Sequence, residues 1–136
     1  MKTFFLILFS LLIALTAKAD ETIQVNELAK TSQSWNQTPL PHYGQGTPEV
    51  TVLQITIPPK TKLPLHKHPV INAGFVLQGE LTVVGPQQQT LNLKQGDTII
   101  ELVNQWHYGI NKGNQPVKLI VFYAGNKGVP LTIKKQ

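Results

Sequence analysis

The chain has no cysteine and no arginine, and its 136 residues carry only 7 acidic side chains against 12 lysines. Without cysteine, an oxidising compartment would leave no disulfide trace. Without arginine, the guanidinium forks on which nucleic-acid recognition leans are missing. The lysines are dispersed, so the formal charge of +5 describes a solvated surface and not a nucleic-acid footprint. Internal repeats, low-complexity tracts, phosphate-binding glycine loops and a Ser-His-Asp constellation are all missing as well.

The one long apolar run is at the N-terminus, where Phe4 to Leu15 follows Lys2 and precedes Ala17-Lys18-Ala19. A positive start, a short apolar stretch and an A-x-A site predict a secretory signal peptide over residues 1–19. The run is shorter than the ~18–20 residues a membrane span needs. Cleavage after Ala19 would start the mature chain at Asp20, remove Lys2 and Lys18, and lower the formal charge from +5 to +3. A periplasmic or secreted location follows, with no membrane contact after cleavage. The mature chain is the right size for one domain with a single core.

From Glu49 onward the chain alternates and is broken by Gly, Pro and Asn at short intervals. Strands are predicted over 49–57, 63–68, 71–78, 81–84, 90–93, 98–103, 106–111, 117–123 and 131–133. That density of short strands predicts an all-β sandwich or barrel. The shift of apolar parity at Val52-Leu53 suggests a bulge or burial on both faces. Residues 20–48 read as a short strand at Thr22–Val25, a helical turn at Asn26–Lys30 and a polar loop. That loop carries His42, and Trp35 as a residue packed over one barrel end.

Two histidines, His66 and His68, stand one residue apart between Pro64 and Pro69. The prolines oppose a helix, which would splay the pair by roughly 200°. On a strand both imidazoles share a face and can share one metal ion. His107, in the patterned stretch Gly96–Asn111, would supply a third imidazole from a neighbouring strand.

These residues resemble the cupins, whose first motif reads G-x5-H-x-H-x3,4-E-x6-G and whose second reads G-x5-P-x-G-x2-H-x3-N. His66, His68 and Gly79 match the first at the right spacing, and Gly96, His107 and Asn111 match the second. The similarity runs from about Val50 to Tyr123. It implies an antiparallel double-stranded β-helix, or jelly-roll barrel, over residues 49–136, and it carries the expectation of a homodimer, for which exposed edge strands offer a route. Lys60 stands where the first motif opens with Gly, Leu102 and Asn104 replace the Pro and Gly of the second, and Asn72 stands at the family's glutamate ligand.

The implied metal ligands are His66, His68 and His107, with Asn72 as a fourth, neutral and weaker donor. Three imidazoles suit Fe, Mn, Ni, Cu or Zn, and spacing does not distinguish among these metals. Strand parity places Gly74, Val76 and Gln78 on the face of Asn72, and Gly109 and Asn111 on that of His107. Val76, Gln78 and Asn111 are therefore candidates to contact a small-molecule ligand, with Gly74 and Gly109 leaving room for it. No carboxylate can be assigned to the site. Glu101 shares odd parity with His107, but a break at Asn104-Gln105 lies between them. The expected function is a metal-dependent enzyme on a small organic molecule, dioxygenase-like. The alternative is a non-catalytic small-ligand-binding or sensor module.

Overall fold

The computed structural model describes residues 22–136, so the expected signal peptide lies outside the described residues. Ten strands follow in chain order: β1 (Pro48–Ile57), β2 (Thr61–Lys62), β3 (His66–Lys67), β4 (Ile71–Gln78), β5 (Glu80–Val84), β6 (Thr90–Lys94), β7 (Thr98–Ile100), β8 (Tyr108–Asn111), β9 (Val117–Asn126) and β10 (Ile133–Lys134). Among the described residues the only helical element is a 3-10 turn at Pro86–Gln88, and no helix is long and apolar enough to cross a membrane. One four-stranded sheet has the order β1-β9-β4-β7, the other β2-β8-β5-β6, and β10 pairs with β3. All named pairs are antiparallel. This is the expected jelly-roll barrel.

The inward faces of both sheets build one core. Ile57, Val76, Leu81, Val83, Leu93, Ile99, Val117, Leu119 and Val121 are buried together, as period-2 alternation requires when only one face of each sheet is covered. Trp35 packs over this core from the N-terminal arm, as expected: a Cβ on Gly85 would lie 3.0 Å from its ring.

The arm is otherwise different from its prediction. Thr22–Lys30 forms neither the strand nor the helical turn. Ile23 and Val25 are 94% and 86% exposed, and a strand without a partner leaves its backbone groups unpaired. The arm first touches the barrel at Leu28, whose carbonyl accepts from the Thr98 hydroxyl (3.2 Å), and its bonds to the barrel cluster from Ser34. The Ser34 hydroxyl donates to the Glu101 carbonyl (2.8 Å), Trp35 N–H donates to the Ile100 carbonyl (2.9 Å), and the Asn36 amide donates to Gln105 Oε1 (3.1 Å).

The bulge suggested at Val52-Leu53 is absent, since β1 pairs with β9 in unbroken register from Pro48↔Asn126 to Ile57↔Val117. The apparent shift in parity has another cause. β1 is a sheet edge whose outer face carries Val50 and Val52, 61% and 59% exposed. A register shift lies instead in β4, between Val76 and Gln78.

Both departures from the motif glycines keep the glycine backbone. Lys60 (φ 54°) and Asn104 (φ 58°) adopt the left-handed region. Asn tolerates it well, while Lys does so at a cost. Gly79 is different: at φ +82° a Cβ there would also meet the Pro116 carbonyl at 3.0 Å.

Asn111 ties three segments together. Its amide nitrogen lies 3.1, 3.0 and 2.8 Å from the carbonyls of Ile57, Pro58 and Gln115, and its Oδ1 accepts from Gly113 N–H (2.9 Å). It is 1% exposed, so truncation would orphan several buried groups at once. Asn111→Ala is expected to cost at least about 2 kcal/mol in a denaturant titration. A loss below about 0.5 kcal/mol would show that these carbonyls do not depend on it.

Candidate metal centre

The site is built on backbone pairing between segments distant in sequence. His66 and His107 face each other as an antiparallel pair, with His66 N–H donating to the His107 carbonyl (2.9 Å) and His107 N–H to the His66 carbonyl (2.8 Å). His68 follows two residues on, and its carbonyl accepts from Asn104 N–H (2.7 Å). β10 closes the other side of β3, pairing Lys134 with His66 and Ile133 with Lys67.

The three rings converge. Their centroids are 5.0 Å apart for His66–His68, 4.6 Å for His66–His107 and 5.1 Å for His68–His107. One ligand nitrogen from each lies within 4.8 Å of the others. Each Nδ1 is within bonding distance of a backbone carbonyl: Pro64 for His66 (2.7 Å), Leu131 for His68 (2.8 Å) and Gln105 for His107 (2.8 Å). A carbonyl only accepts, so Nδ1 carries the proton in all three rings and Nε2 keeps its lone pair. A second hydrogen bond of this kind is what orients metal-binding histidines.

The rings line a cavity of about 120 Å³ together with Asn72, Glu101, Tyr123, Thr132 and apolar walls that include Ile55, Leu63, Leu81 and Val121. A larger groove of about 460 Å³, bordered by the exposed His42, Tyr43 and Glu49, holds none of the three histidines. It lacks the convergent donors of the smaller cavity, which is therefore the chemical site.

Asn72 is 1% exposed and lies in the cavity wall, with Nδ2 3.4 Å from the Val70 carbonyl and Oδ1 without a donor. The three remaining candidates lie outside this wall. Val76 is 0% exposed within the hydrophobic core, Asn111 is held by the carbonyls described above, and the Gln78 amide donates to Pro116 O (3.2 Å). The register shift after Val76 ends the parity that had assigned Gln78 to the site. Gly109 borders the cavity as expected, but Gly74 does not: a Cβ there would lie 3.0 Å from Ile99, so Gly74 allows close packing of β7 and leaves no room for a ligand.

Glu101 is the residue that parity could not place, and it belongs to the site. Its Oε2 lies 3.4 Å from His107 Nε2, and both atoms are buried without a hydrogen-bond partner. Two acceptors face each other there unless a proton or a cation lies between them. Orphaned acceptors beside three oriented imidazoles fit a cation, and the nitrogen-rich donor set fits a first-row transition metal.

Burial sets the protonation states. It lowers His68, with backbone bonding to Leu131 and the Glu101 charge acting in the opposite direction, and it lowers His107 to about 4. It raises Glu101 against the attraction of His68 and His66, and it raises Tyr123, reinforced by Glu101. In the unfolded chain His107 takes up a proton near its ordinary 6.5, and in the fold only near 4. The unfolded state thus binds more protons between these values, and this contribution destabilises the fold as pH falls through that window. For chelator-treated protein the effect is on the order of 3 kcal/mol for His107. Denaturant midpoints from pH 7 to 4 should fall, and fall less steeply in His107→Gln; identical slopes would contradict this.

The cupin-domain family model matches residues 53–123. A search of the curated proteins found no match. Among solved structures, a conserved protein with a double-stranded β-helix domain from Klebsiella pneumoniae is similar at 21% identity and a TM-score of 0.55, over 87% of this chain and 99% of that one. DMSP lyase DddQ from Ruegeria pomeroyi DSS-3 is similar at 19% identity and a TM-score of 0.56, over 63% of this chain and 43% of the lyase. Salicylate 1,2-dioxygenase from Pseudaminobacter salicylatoxidans is similar at 21% identity and a TM-score of 0.51, over 54% of this chain and 21% of the enzyme. The chain thus spans less than half the length of either enzyme, and the likeness at these identities is one of fold. Because the family match covers more than half of the sequence and the barrel described above is that family's fold, the chain belongs to the cupin family.

Proposed function

We propose that this cupin binds one divalent first-row transition metal through Nε2 of His66, His68 and His107, and acts on a small organic molecule in a dioxygenase-like reaction. The observation that carries the reading is the trio of Nδ1–H bonds to backbone carbonyls, which leaves three lone pairs directed into one cavity. A metal bound there supplies Lewis-acid or redox chemistry.

The chain's own residues set what reaches it. Ile55, Leu63, Leu81 and Val121 exclude water and limit size, and a cavity of about 120 Å³ holds roughly four waters' volume. A compact substrate of few non-hydrogen atoms suits that space. The lyase and the dioxygenase among the similar structures are enzymes on small molecules by name, in line with this class. We further propose export, with the A-x-A site at Ala17–Ala19 as its basis.

Two measurements test the reading, and a third tests export. Alanine at His66, His68 or His107 should cut metal occupancy at least about tenfold after dialysis, since ligand loss exceeds the 10–100-fold effect of outer partners. A triple variant that retains the native metal content would place the ion elsewhere. Metal-loaded protein should consume oxygen with at least one member of a panel of phenols, thiols and diketones, and His107→Ala should not. Tight metal binding without turnover of any compound would instead support a non-catalytic ligand-binding module. For export, intact-mass measurement should find the secreted chain starting at Asp20, and a mature chain retaining Met1 would contradict it.

A further inference from the structure

Three of the buried polar atoms that lack a partner line one cavity: Asn72 Oδ1, Glu101 Oε2 and His107 Nε2. Two of these residues are neighbours across strands. The β4–β7 ladder pairs Ala73 with Ile100, and one step further Glu101 N–H donates to the Asn72 carbonyl at 3.1 Å. Residues directly opposed on antiparallel strands share a face, with Cβ atoms roughly 4.5–5.5 Å apart. Position 72 is where the motif carries its carboxylate, and this chain has an amide there. Directly across the ladder it has a carboxylate.

We propose that Glu101 supplies the anionic metal ligand that Asn72 cannot, so that the ligand set is three imidazoles plus a carboxylate transposed to the adjacent strand. The proposal rests on the metal-site reading above and adds the fourth donor to it. The 3.4 Å between Glu101 Oε2 and His107 Nε2 is a separation that two donors on one ion adopt. The ligand atoms that already lie within 4.8 Å of one another are those of the three histidines alone, so the carboxylate has to close on His66 and His68 when the ion binds. Bond lengths of about 2.0–2.2 Å place neighbouring donors roughly 3.0–3.5 Å apart.

The backbone of Glu101 is fixed from both sides. Its N–H is held by Asn72 and its carbonyl by the Ser34 hydroxyl (2.8 Å). The N-terminal arm therefore fixes the main chain that carries the carboxylate, through Ser34, itself 5% exposed. A negative oxygen opposite three neutral nitrogens also offsets part of the charge of a dication in a desolvated site.

The test is competitive chelator titration with Co(II) and Zn(II) for the native sequence, Glu101→Gln and the double variant Asn72→Glu/Glu101→Gln, with the Co(II) absorption spectrum as a second readout. Glu101→Gln should bind at least about tenfold more weakly and shift the Co(II) bands, because an amide replaces the anionic donor. Returning a carboxylate at position 72 should restore affinity to within about threefold, a rescue that a purely structural role for Glu101 does not predict. Equal affinity and identical Co(II) spectra for folded Glu101→Gln and the native protein would overturn this inference alone. Absence of binding by the native protein would overturn the metal-site reading as well.

Discussion

Three hydrogen bonds from imidazole Nδ1–H to backbone carbonyls decide what this protein can bind. Without them each ring could adopt either tautomer and swing about χ2; with them, each presents one lone pair from a fixed position. Two of the carbonyls, those of Pro64 and Gln105, come from residues two positions before their own histidine, so the local turn sets them. The third belongs to Leu131, 63 residues beyond His68. The site is therefore complete only when the C-terminal segment has docked and β10 has paired with β3. Folding and ligand orientation are coupled through that one bond.

The rest of the barrel works against the cost of this arrangement. His107 is 2% exposed with Nε2 unpartnered, and Asn72 and Glu101 add further orphaned acceptors. Buried polar atoms without partners are unfavourable by roughly 1–3 kcal/mol each. They persist because the two sheets bury a continuous core beside them and because pairing on both flanks fixes the backbone. The arm adds a further constraint, since Ser34, Trp35 and Asn36 each bond to the 100–105 segment that carries Glu101 and leads to His107. A metal would relieve the unfavourable contacts at the site, so its binding should stabilise the fold by mass action.

Much of this was legible in the sequence, for identifiable reasons. His66 and His68 share a face because period-2 geometry holds over two residues, and the resemblance to the first motif placed Asn72 inward on β4. The barrel followed from strand density and the motif spacing. Parity failed wherever the backbone left the ideal strand. Gln78 lies beyond the register shift after Val76. Glu101 is the opposite case: its odd parity with His107 pointed to the right face, but the break at the left-handed Asn104 kept that parity from being carried across. Only the cross-strand pairing of β4 with β7 shows that Glu101 opposes Asn72, and that is long-range information which no window along the chain contains. Asn111 shows a different limit. Its parity was right, but its amide serves backbone carbonyls of the turn and of the β1 end. The N-terminal arm was misread because Ile23 and Val25 alternate like a strand but have no partner to pair with.

The converging rings and their three carbonyl partners call for a metal ion held between His66, His68 and His107. Anomalous diffraction, recorded at the relevant absorption edge from crystals of protein purified from its own host, tests it most directly. One peak per chain is expected, within about 2.0–2.2 Å of all three Nε2 atoms. A fully ordered site with no anomalous peak, or a peak coordinated by other residues, would contradict it.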